Sequence, residues 1–351
     1  MTILQFLLWS LLKVVVVTVV LLISVAYTVL LERKLVGRIQ NRWGPSRVGP
    51  FGLLQPLVDG AKSFLKEDII PTGVYRPLYL LAPIIGLSCA LISIAVVPFG
   101  DPGIVAAGNF RIFQIADVNI GLLVILGITS VGVYGVALAG WSSNNKYSLL
   151  GSLRSSAQLI SYEMALGLSL VGVVLRAGSL NLDVIVRSQA SKYGILGWNL
   201  FGGLQFVAFF IYLMSAYAET NRSPFDLPEA ESELTAGYHT EYSSMKFAMF
   251  FMAEYANMIM VGCVATLLFL GGWTSPFGDL FPAPENFLVR ALIPIFWFVV
   301  KVFSFLFLYV WVRGTLPRFR YDQLMNYGWR FLMPLAILNI VGTSLWLVAY
   351  R

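Results

Sequence analysis

The sequence predicts an all-α protein that crosses a lipid bilayer about eight times. Hydrophobic residues make up 58% of the 351-residue chain and charged residues only 12%, whereas soluble proteins carry about 25% charged residues. So few charges cannot coat a water-facing surface. The apolar runs are long and continuous rather than alternating, which favours spanning helices over barrel strands.

Eight segments are long and apolar enough to be spanning helices, which need about 20 mostly apolar residues each. They are residues 3–31, 78–100, 119–141, 157–176, 195–218, 247–271, 289–312 and 331–350. No small-residue cleavage site follows the first run before Glu32, so no cleavable signal is predicted. The even composition predicts one membrane domain over residues 1–351, with long loops at 32–77 and 219–246.

The placement of basic residues predicts the orientation of the chain. Most of the 24 Lys and Arg residues lie in one set of loops, at residues 32–77, 142–156, 219–246 and 313–330. Basic loops stay on the cytoplasmic side of a membrane. We therefore expect these loops in the cytoplasm and both termini in the periplasm, in a bacterial inner membrane or its mitochondrial equivalent. The net charge of +6 is a topology signal and implies no nucleic acid.

The first long loop contains a predicted amphipathic helix. The pairs Gly44-Pro45 and Gly49-Pro50 mark turns before it, and Pro56 suits a first helical turn. Apolar residues then recur at helical spacing, namely Leu54, Leu57, Val58, Ala61, Phe64 and Leu65, with Asp59, Lys62 and Lys66 on the opposite face. Such a helix lies in the membrane interface, either as a lipid anchor or as the floor of a cavity for an amphipathic ligand.

Too few cysteines and histidines are present for a redox or structural metal centre. The chain has two cysteines and one histidine, His239. An iron–sulfur cluster needs four thiolates, and structural zinc needs four Cys or His ligands. If the protein serves a redox reaction, we expect the electron carriers to belong to partner chains.

Ionisable residues inside the predicted spans are the strongest functional signal. They are Lys13, Glu163, Glu254 and Lys301, with Glu219 closing the fifth span. Each charge at such a depth costs roughly 2.5 kcal/mol or more. At 1.5 Å per residue, the Glu163 and Glu254 carboxyls lie about 10 Å below the cytoplasmic ends of their spans.

The three carboxyls therefore share the cytoplasmic third of the membrane, and we expect a cluster that faces the bundle interior. Burial and neighbouring carboxylates favour proton uptake near neutral pH, so the cluster is predicted to handle protons. The alternative is that each carboxyl is neutral or structurally paired. For Lys13 and Lys301, structural pairing and function are left open.

The loop after the fifth span is unusually acidic. Its acids are Glu219, Asp226, Glu229, Glu231, Glu233 and Glu241, against Arg222 and Lys246. Asp226 and Glu229 fit a helix start, with the aspartate as cap. That interpretation does not explain the remaining acids, because cytoplasmic membrane loops are usually basic.

Several long motifs resemble those of one family. They are Leu31-Glu32-Arg33-Lys34, Gly52-Leu53-Leu54-Gln55-Pro56, Asn145-Lys146-Tyr147-Ser148-Leu149-Leu150-Gly151, Ser161-Tyr162-Glu163, the run from Ala218 to Glu229, Gly237-Tyr238-His239-Thr240-Glu241-Tyr242, Ala253-Glu254-Tyr255-Ala256-Asn257 and the run from Leu316 to Met325. Through these motifs, nearly the whole chain resembles the quinone-site membrane subunit of proton-translocating NADH:quinone oxidoreductase (respiratory complex I).

The resemblance implies a subunit that joins a peripheral electron-transfer arm to a membrane arm. Quinone, either ubiquinone or menaquinone, would enter from the lipid through a tunnel in this subunit. It would be reduced near the terminal iron–sulfur cluster of a peripheral subunit. Iron–sulfur clusters and flavin would lie on partners, and energy would pass to small and antiporter-like membrane subunits.

The resemblance also assigns roles to residues. Positions at the quinone tunnel and its mouth match Arg33, Arg42, Asp59, Arg222, Phe225, Arg313 and Arg318. Positions of the proton path match Glu163, Glu219, Glu229, Glu231, Glu233 and Glu254. Some relatives add an acid in the third span, but residues 119–141 contain none, which puts a path through that group in doubt.

Two alternatives stay open. Similar subunits anchor membrane-bound hydrogenases, formate hydrogenlyases and photosynthetic NDH complexes, although the Ala253–Asn257 motif favours the respiratory enzyme. A stand-alone ion antiporter would also carry buried Glu and Lys residues. Transporters commonly contain inverted repeats, and we find no convincing repeat between residues 1–175 and 176–351.

Overall fold

The computed structural model describes residues 3–103, 105–106, 110–191, 194–226, 237–278 and 286–349. Its helices are α1 (Ile3–Ile39), α2 (Gln55–Leu65), α3 (Arg76–Ser93), α4 (Gly121–Ser142), α5 (Lys146–Ala177), α6 (Leu182–Ser188), α7 (Gln205–Glu219), α8 (Ser244–Phe269), α9 (Phe287–Thr315), α10 (Tyr321–Tyr327) and α11 (Met333–Ala349). One antiparallel ladder joins the two-residue strands β1 (Val105–Ala106) and β2 (Phe110–Arg111). The all-α prediction is confirmed.

Seven helical stretches in the described part of the chain are long and apolar enough to cross a membrane. They are α1, α3, α4, α5, α8, α9 and the stretch from α10 to α11, which a π-helical turn at Gly328–Leu332 makes continuous. This agrees with the predicted polytopic membrane protein. Of the seven, α8 is the most buried and packs against α1, α3, α7 and α9.

The fifth predicted span, residues 195–218, is built differently from a single long helix. Two 3-10 turns, Gly194–Gly197 and Asn199–Phe201, precede α7. Glycine is a poor helix former, and the positive φ of 69° at Gly203 breaks the helical path. At 1.5 Å per residue, α7 is only about 22 Å long, shorter than a full hydrocarbon core.

The first span and the second basic loop also differ from their predicted bounds. The first helix continues to Ile39 instead of ending at residue 31, because Glu, Arg, Lys and Leu are good helix formers outside the membrane as well. The next long helix, α5, begins at Lys146, where Asn145 caps it by accepting a hydrogen bond from the Tyr147 N–H. The loop predicted at 142–156 is therefore only three residues long.

The amphipathic helix of the first loop is confirmed as α2, with Pro56 in its first turn. Its residues are all at least partly exposed, and Leu57, Phe64 and Leu65 are among the most exposed apolar side chains. The turn before it depends on Gly52, whose φ is 76° and where a Cβ would collide with the Pro45 carbonyl oxygen. The exposed apolar face of α2 is compatible with both predicted roles, a lipid anchor and the floor of a cavity.

Both lysines inside the spans have hydrogen-bond partners. The Lys13 ammonium donates to the Gln114 carbonyl oxygen at 3.0 Å. The Lys301 ammonium donates to three backbone carbonyls at the end of α8. Backbone pairing thus accounts for the presence of both charges at membrane depth.

Candidate functional site

A cluster of buried charges lies where α1, α8, α9 and the segment after α7 meet. Glu32 of α1 accepts hydrogen bonds from the Arg313 guanidinium and from the Tyr255 hydroxyl, the latter at 2.8 Å. The Arg222 Nη1 lies 3.8 Å from the same carboxylate. We call Glu32, Arg222, Glu254, Tyr255 and Arg313 the charge centre.

Arg222 bridges the two carboxylates of the charge centre. Its side chain is 3% exposed, and its Nη2 lies 3.9 Å from Glu254 Oε2. Its guanidinium also stacks over the Tyr255 ring, 4.2 Å from the ring centre. Distances of 3.8 and 3.9 Å exceed a direct hydrogen bond, so Arg222 holds both carboxylates by charge rather than by fixed bonds. The buried Arg222 and the partly buried Arg313 face the Glu32 and Glu254 carboxylates, which compensates the desolvation of these charges.

Glu32 is a site residue that the sequence analysis missed. The predicted first span ended at residue 31, which placed Glu32 in a loop. A signal was nevertheless present, because the buried positions Leu21, Val25, Thr28 and Glu32 follow each other at helical spacing. Continuing the buried stripe of α1 by one turn would have placed this carboxyl inside the protein.

A basic cleft adjoins the charge centre on the side of the first loop. Its volume is about 910 Å³, and its lining residues include Glu32, Arg33, Arg42 and Arg313. Asp59 stands next to the cleft, where it pairs with Arg33 at 2.6 Å. The structure thus brings together four of the predicted tunnel residues.

Phe225 and Arg318 do not line this cleft. Phe225 is buried and stacks on Phe319, with 5.5 Å between the ring centres. The Arg318 Nη2 lies 3.4 Å from the buried Asp226 carboxylate. The Gln158 amide donates to the carbonyl oxygens at both ends of the same segment, Ala218 and Phe225. These contacts fix the position of residues 218–226, the segment that contains Arg222.

Three predicted proton-path carboxyls line one small cavity. Glu163, Glu219 and Glu254 surround a space of about 60 Å³ together with Thr129 and Asn221. The Ser130 hydroxyl donates to Glu163. Glu219 Oε2 and Asn221 Oδ1 are buried and have no hydrogen-bond partner among the described residues. One water needs roughly 10–15 Å³ and several polar partners, so this acidic cavity suits a few waters.

Glu254 connects the acidic cavity to the charge centre. One of its oxygens accepts from the Tyr238 hydroxyl at 3.0 Å, and the other faces Arg222. Because Glu32 and Arg313 line the basic cleft, the cleft, the charge centre and the acidic cavity form one continuous polar path. Arg222 lies at the middle of this path.

The remaining predicted acids, Glu229, Glu231 and Glu233, lie outside the described residues. Within the described ranges, no group of three His, Cys, Asp or Glu side chains is placed to hold a metal ion. The described site presents carboxylate, guanidinium and phenol groups, which can stabilise charge on a bound molecule.

His239 lies in the 3-10 turn Gly237–His239, beside the tyrosine that bonds Glu254. Burial among aromatic rings lowers the pKa of His239 to about 3, because a low dielectric disfavours the imidazolium. The side chain is therefore neutral at physiological pH. His239 contributes packing here rather than a titration step.

Gly151 is predicted to be essential for placing this turn. A Cβ on Gly151 would lie 2.7 Å from the Gly237 Cα, a backbone atom. We expect Gly151→Ala to displace Tyr238 and to lower the free energy of unfolding by about 1–3 kcal/mol, seen as a lower thermal midpoint of the purified protein. Gly167 of the same helix has open space at its Cβ position. Gly167→Ala should be neutral or stabilising, and equal midpoints for the two variants would contradict the prediction.

Comparison with known proteins shows the family to which the chain belongs. A family model described as NADH dehydrogenase matches residues 12–344. Three similar proteins are H-type subunits of NADH-quinone oxidoreductase. The one from Koribacter versatilis is 63% identical over 97% of each chain. The one from Solibacter usitatus is 48% identical over 99% of this chain and 98% of its own, and the one from Leptospira biflexa is 49% identical over 95% and 93%. The chain therefore belongs to the NADH dehydrogenase family of membrane subunits.

Proposed function

We propose that this chain is the subunit of an NADH:quinone oxidoreductase that admits the quinone from the membrane and couples its reduction to proton translocation. The observation that carries the proposal is the continuous path from the basic cleft through the charge centre to the acidic cavity. Its two ends have different chemistry, since one is cationic and faces the first loop, and the other holds carboxyls within the helix bundle.

The groove beside the cleft suits an isoprenoid tail. An apolar groove of about 1120 Å³ runs between α1 and α9, and Leu31, Lys34 and Leu53 line its loop end. The neighbouring positions Glu32 and Arg33 line the basic cleft. A quinone is amphipathic, so its tail fits the groove while its carbonyl oxygens meet the guanidinium groups of the cleft.

Coupling follows from the electrostatics of the charge centre. A quinone that gains electrons gains negative charge, which attracts Arg313 and Arg33 and weakens their hold on Glu32 and Asp59. Charge interactions are several-fold stronger in a protein interior than in water. Arg222 then shifts toward Glu32 and away from Glu254, and Glu254 takes up a proton from the acidic cavity. When the reduced quinone has taken up two protons and leaves as the neutral quinol, the negative charge is gone, the shift reverses and Glu254 releases its proton.

The electrons come from partner chains in this proposal. A peripheral subunit carries the terminal iron–sulfur cluster, flavin lies on another subunit, and ubiquinone or menaquinone is the acceptor. Small membrane subunits and antiporter-like subunits receive the proton signal. The chain lies in the bacterial inner membrane, with the basic loops in the cytoplasm and both termini in the periplasm, as the positive-inside rule indicates.

Photolabelling of the assembled complex tests the quinone path. A quinone that carries a diazirine on its tail should label residues lining the apolar groove, such as Leu31 and Leu53. Excess unmodified quinone should suppress the labelling. Adducts confined to exposed side chains outside the groove, such as Leu345 and Leu338, which are 65% and 66% exposed, would show that the path is not used.

A further inference from the structure

The buried Lys301 ammonium donates hydrogen bonds to the turn that follows α8. Lys301 of α9 is 6% exposed. Its Nζ donates to the carbonyl oxygens of Leu270, Gly272 and Thr274 at 2.7, 2.8 and 2.8 Å. An ammonium has three N–H donors, so all three are used. The nitrogen also lies 4.2 Å from the centre of the Trp198 ring.

Lys301 lies deep in the membrane, where a charged group and unpaired backbone carbonyls both need partners inside the protein. It lies about 21 Å along α9 from the first residue of that helix, and therefore far from either helix end. The three carbonyls belong to the C-cap residue Leu270 and to the turn that follows α8, where the helix no longer supplies partners for backbone groups. At membrane depth such groups need a partner inside the protein. The turn at Gly271 and Gly272, with φ of 67° and 55°, aims three carbonyls at one point.

The two helices that Lys301 joins also carry the charge centre. Glu254 and Tyr255 belong to α8, and Arg313 belongs to α9. Between Lys301 and the centre the helices touch closely, because a Cβ on Gly262 would lie 3.6 Å from the Phe305 Cβ. Sliding one helix along the other would therefore move Arg313 relative to Tyr255 and to their shared partner Glu32.

We propose that Lys301 is a positioning residue that fixes the register between α8 and α9 and thereby sets the geometry of the charge centre. Its side chain is bonded to the turn after α8, and its main chain belongs to α9. The side chain therefore links one position along α8 to one position along α9. Only its consequence for quinone reduction rests on the proposed function. The register itself can be measured without any quinone chemistry.

A disulfide between the helices reports the register. The Cβ separation of 3.6 Å at Gly262 and Phe305 falls within the range of about 3.5–4.5 Å that disulfides require. We would introduce Gly262→Cys and Phe305→Cys into the assembled complex after replacing Cys89 and Cys263 by alanine. With Lys301 present, mild oxidation of membranes should cross-link the introduced pair rapidly. Lys301→Met should slow cross-linking at least about fivefold, because the α8 end loses its three hydrogen bonds to α9.

Lys13→Met is the matched control, because it also removes an intramembrane ammonium, but one that donates to the Gln114 carbonyl and not to the turn after α8. It should leave the cross-linking rate unchanged. If Lys301→Met does not accumulate, Lys301→Gln, which keeps two donors without the charge, is measured in the same way. Unchanged cross-linking in whichever of the two variants accumulates would overturn the register role.

Restoring quinone reductase activity with the disulfide tests whether the helix register governs the charge centre, separately from the proposed function. Quinone reductase activity should fall at least about fivefold in Lys301→Met and return when the introduced cysteine pair is oxidised, since the disulfide restores the geometry that the lysine held. Slow cross-linking without rescue would show that Lys301 sets the register but that the register does not govern the charge centre, which overturns the second half of the proposal. Failure of quinone photolabelling in the unmodified complex would instead contradict the proposed function alone.

Discussion

Replacing Glu32 with glutamine should abolish quinone reduction while the complex still assembles and still oxidises NADH with an artificial electron acceptor. Glu32 is the common partner of Arg313, Tyr255 and Arg222. Removing one partner of a buried ion pair costs about 3–5 kcal/mol, because the other charge stays buried without compensation. That cost corresponds to a loss of more than about 100-fold in any step that needs the centre intact.

The measurement compares two activities in the same membranes. NADH oxidation with quinone should be lost, and NADH oxidation with ferricyanide, which depends on partner subunits, should remain. The matched control is Glu67→Gln, because Glu67 lies in the loop that follows α1 and is exposed. If Glu32→Gln retains wild-type quinone reduction, the charge centre is not part of the quinone pathway.

The helical membrane fold could be predicted because hydrophobicity and length decide it. The bilayer imposes about the same length on every span, so residues 78–100 and 247–271 were found by counting apolar residues. The ends of helices that extend beyond the membrane are harder to predict from the sequence. The end of α1 at Ile39 and the start of α5 at Lys146 depend on helix propensity and capping, which hydropathy does not register.

Some residues of the site could be predicted from the sequence and others could not. The cost of burying a carboxyl identified Glu163, Glu219 and Glu254, and the structure places all three at one cavity. The pairing of Arg222 with two carboxylates could not be predicted from the sequence, because it depends on how α1, α8 and the segment after α7 meet in space. For Lys301, the cost of the charge was evident from its place in an apolar run. Its partners were not, since these are backbone carbonyls that any sequence contains.

Glu219→Gln and Glu254→Gln should each impair quinone-linked proton translocation while the subunit still assembles. A glutamine keeps the shape of the side chain but cannot exchange a proton, and a positioned proton-transfer group contributes about 100-fold or more to the step that it serves. We expect dye-quenching assays in sealed vesicles to show at least about tenfold slower proton uptake for Glu219→Gln, with quinone reduction falling in parallel because the two are coupled.

The matched control for this second prediction is Glu241→Gln. Glu241 lies in the segment between α7 and α8, and it accepts a hydrogen bond from the Asn145 amide at 2.7 Å, a bond that a glutamine oxygen can keep. It does not line the acidic cavity, so its replacement should leave proton uptake near the wild-type rate. Wild-type pumping in both cavity variants would mean that protons do not pass through these carboxyls. In that case Glu254 would matter only as a counter-charge for Arg222, and the coupling would have to leave the charge centre by another route.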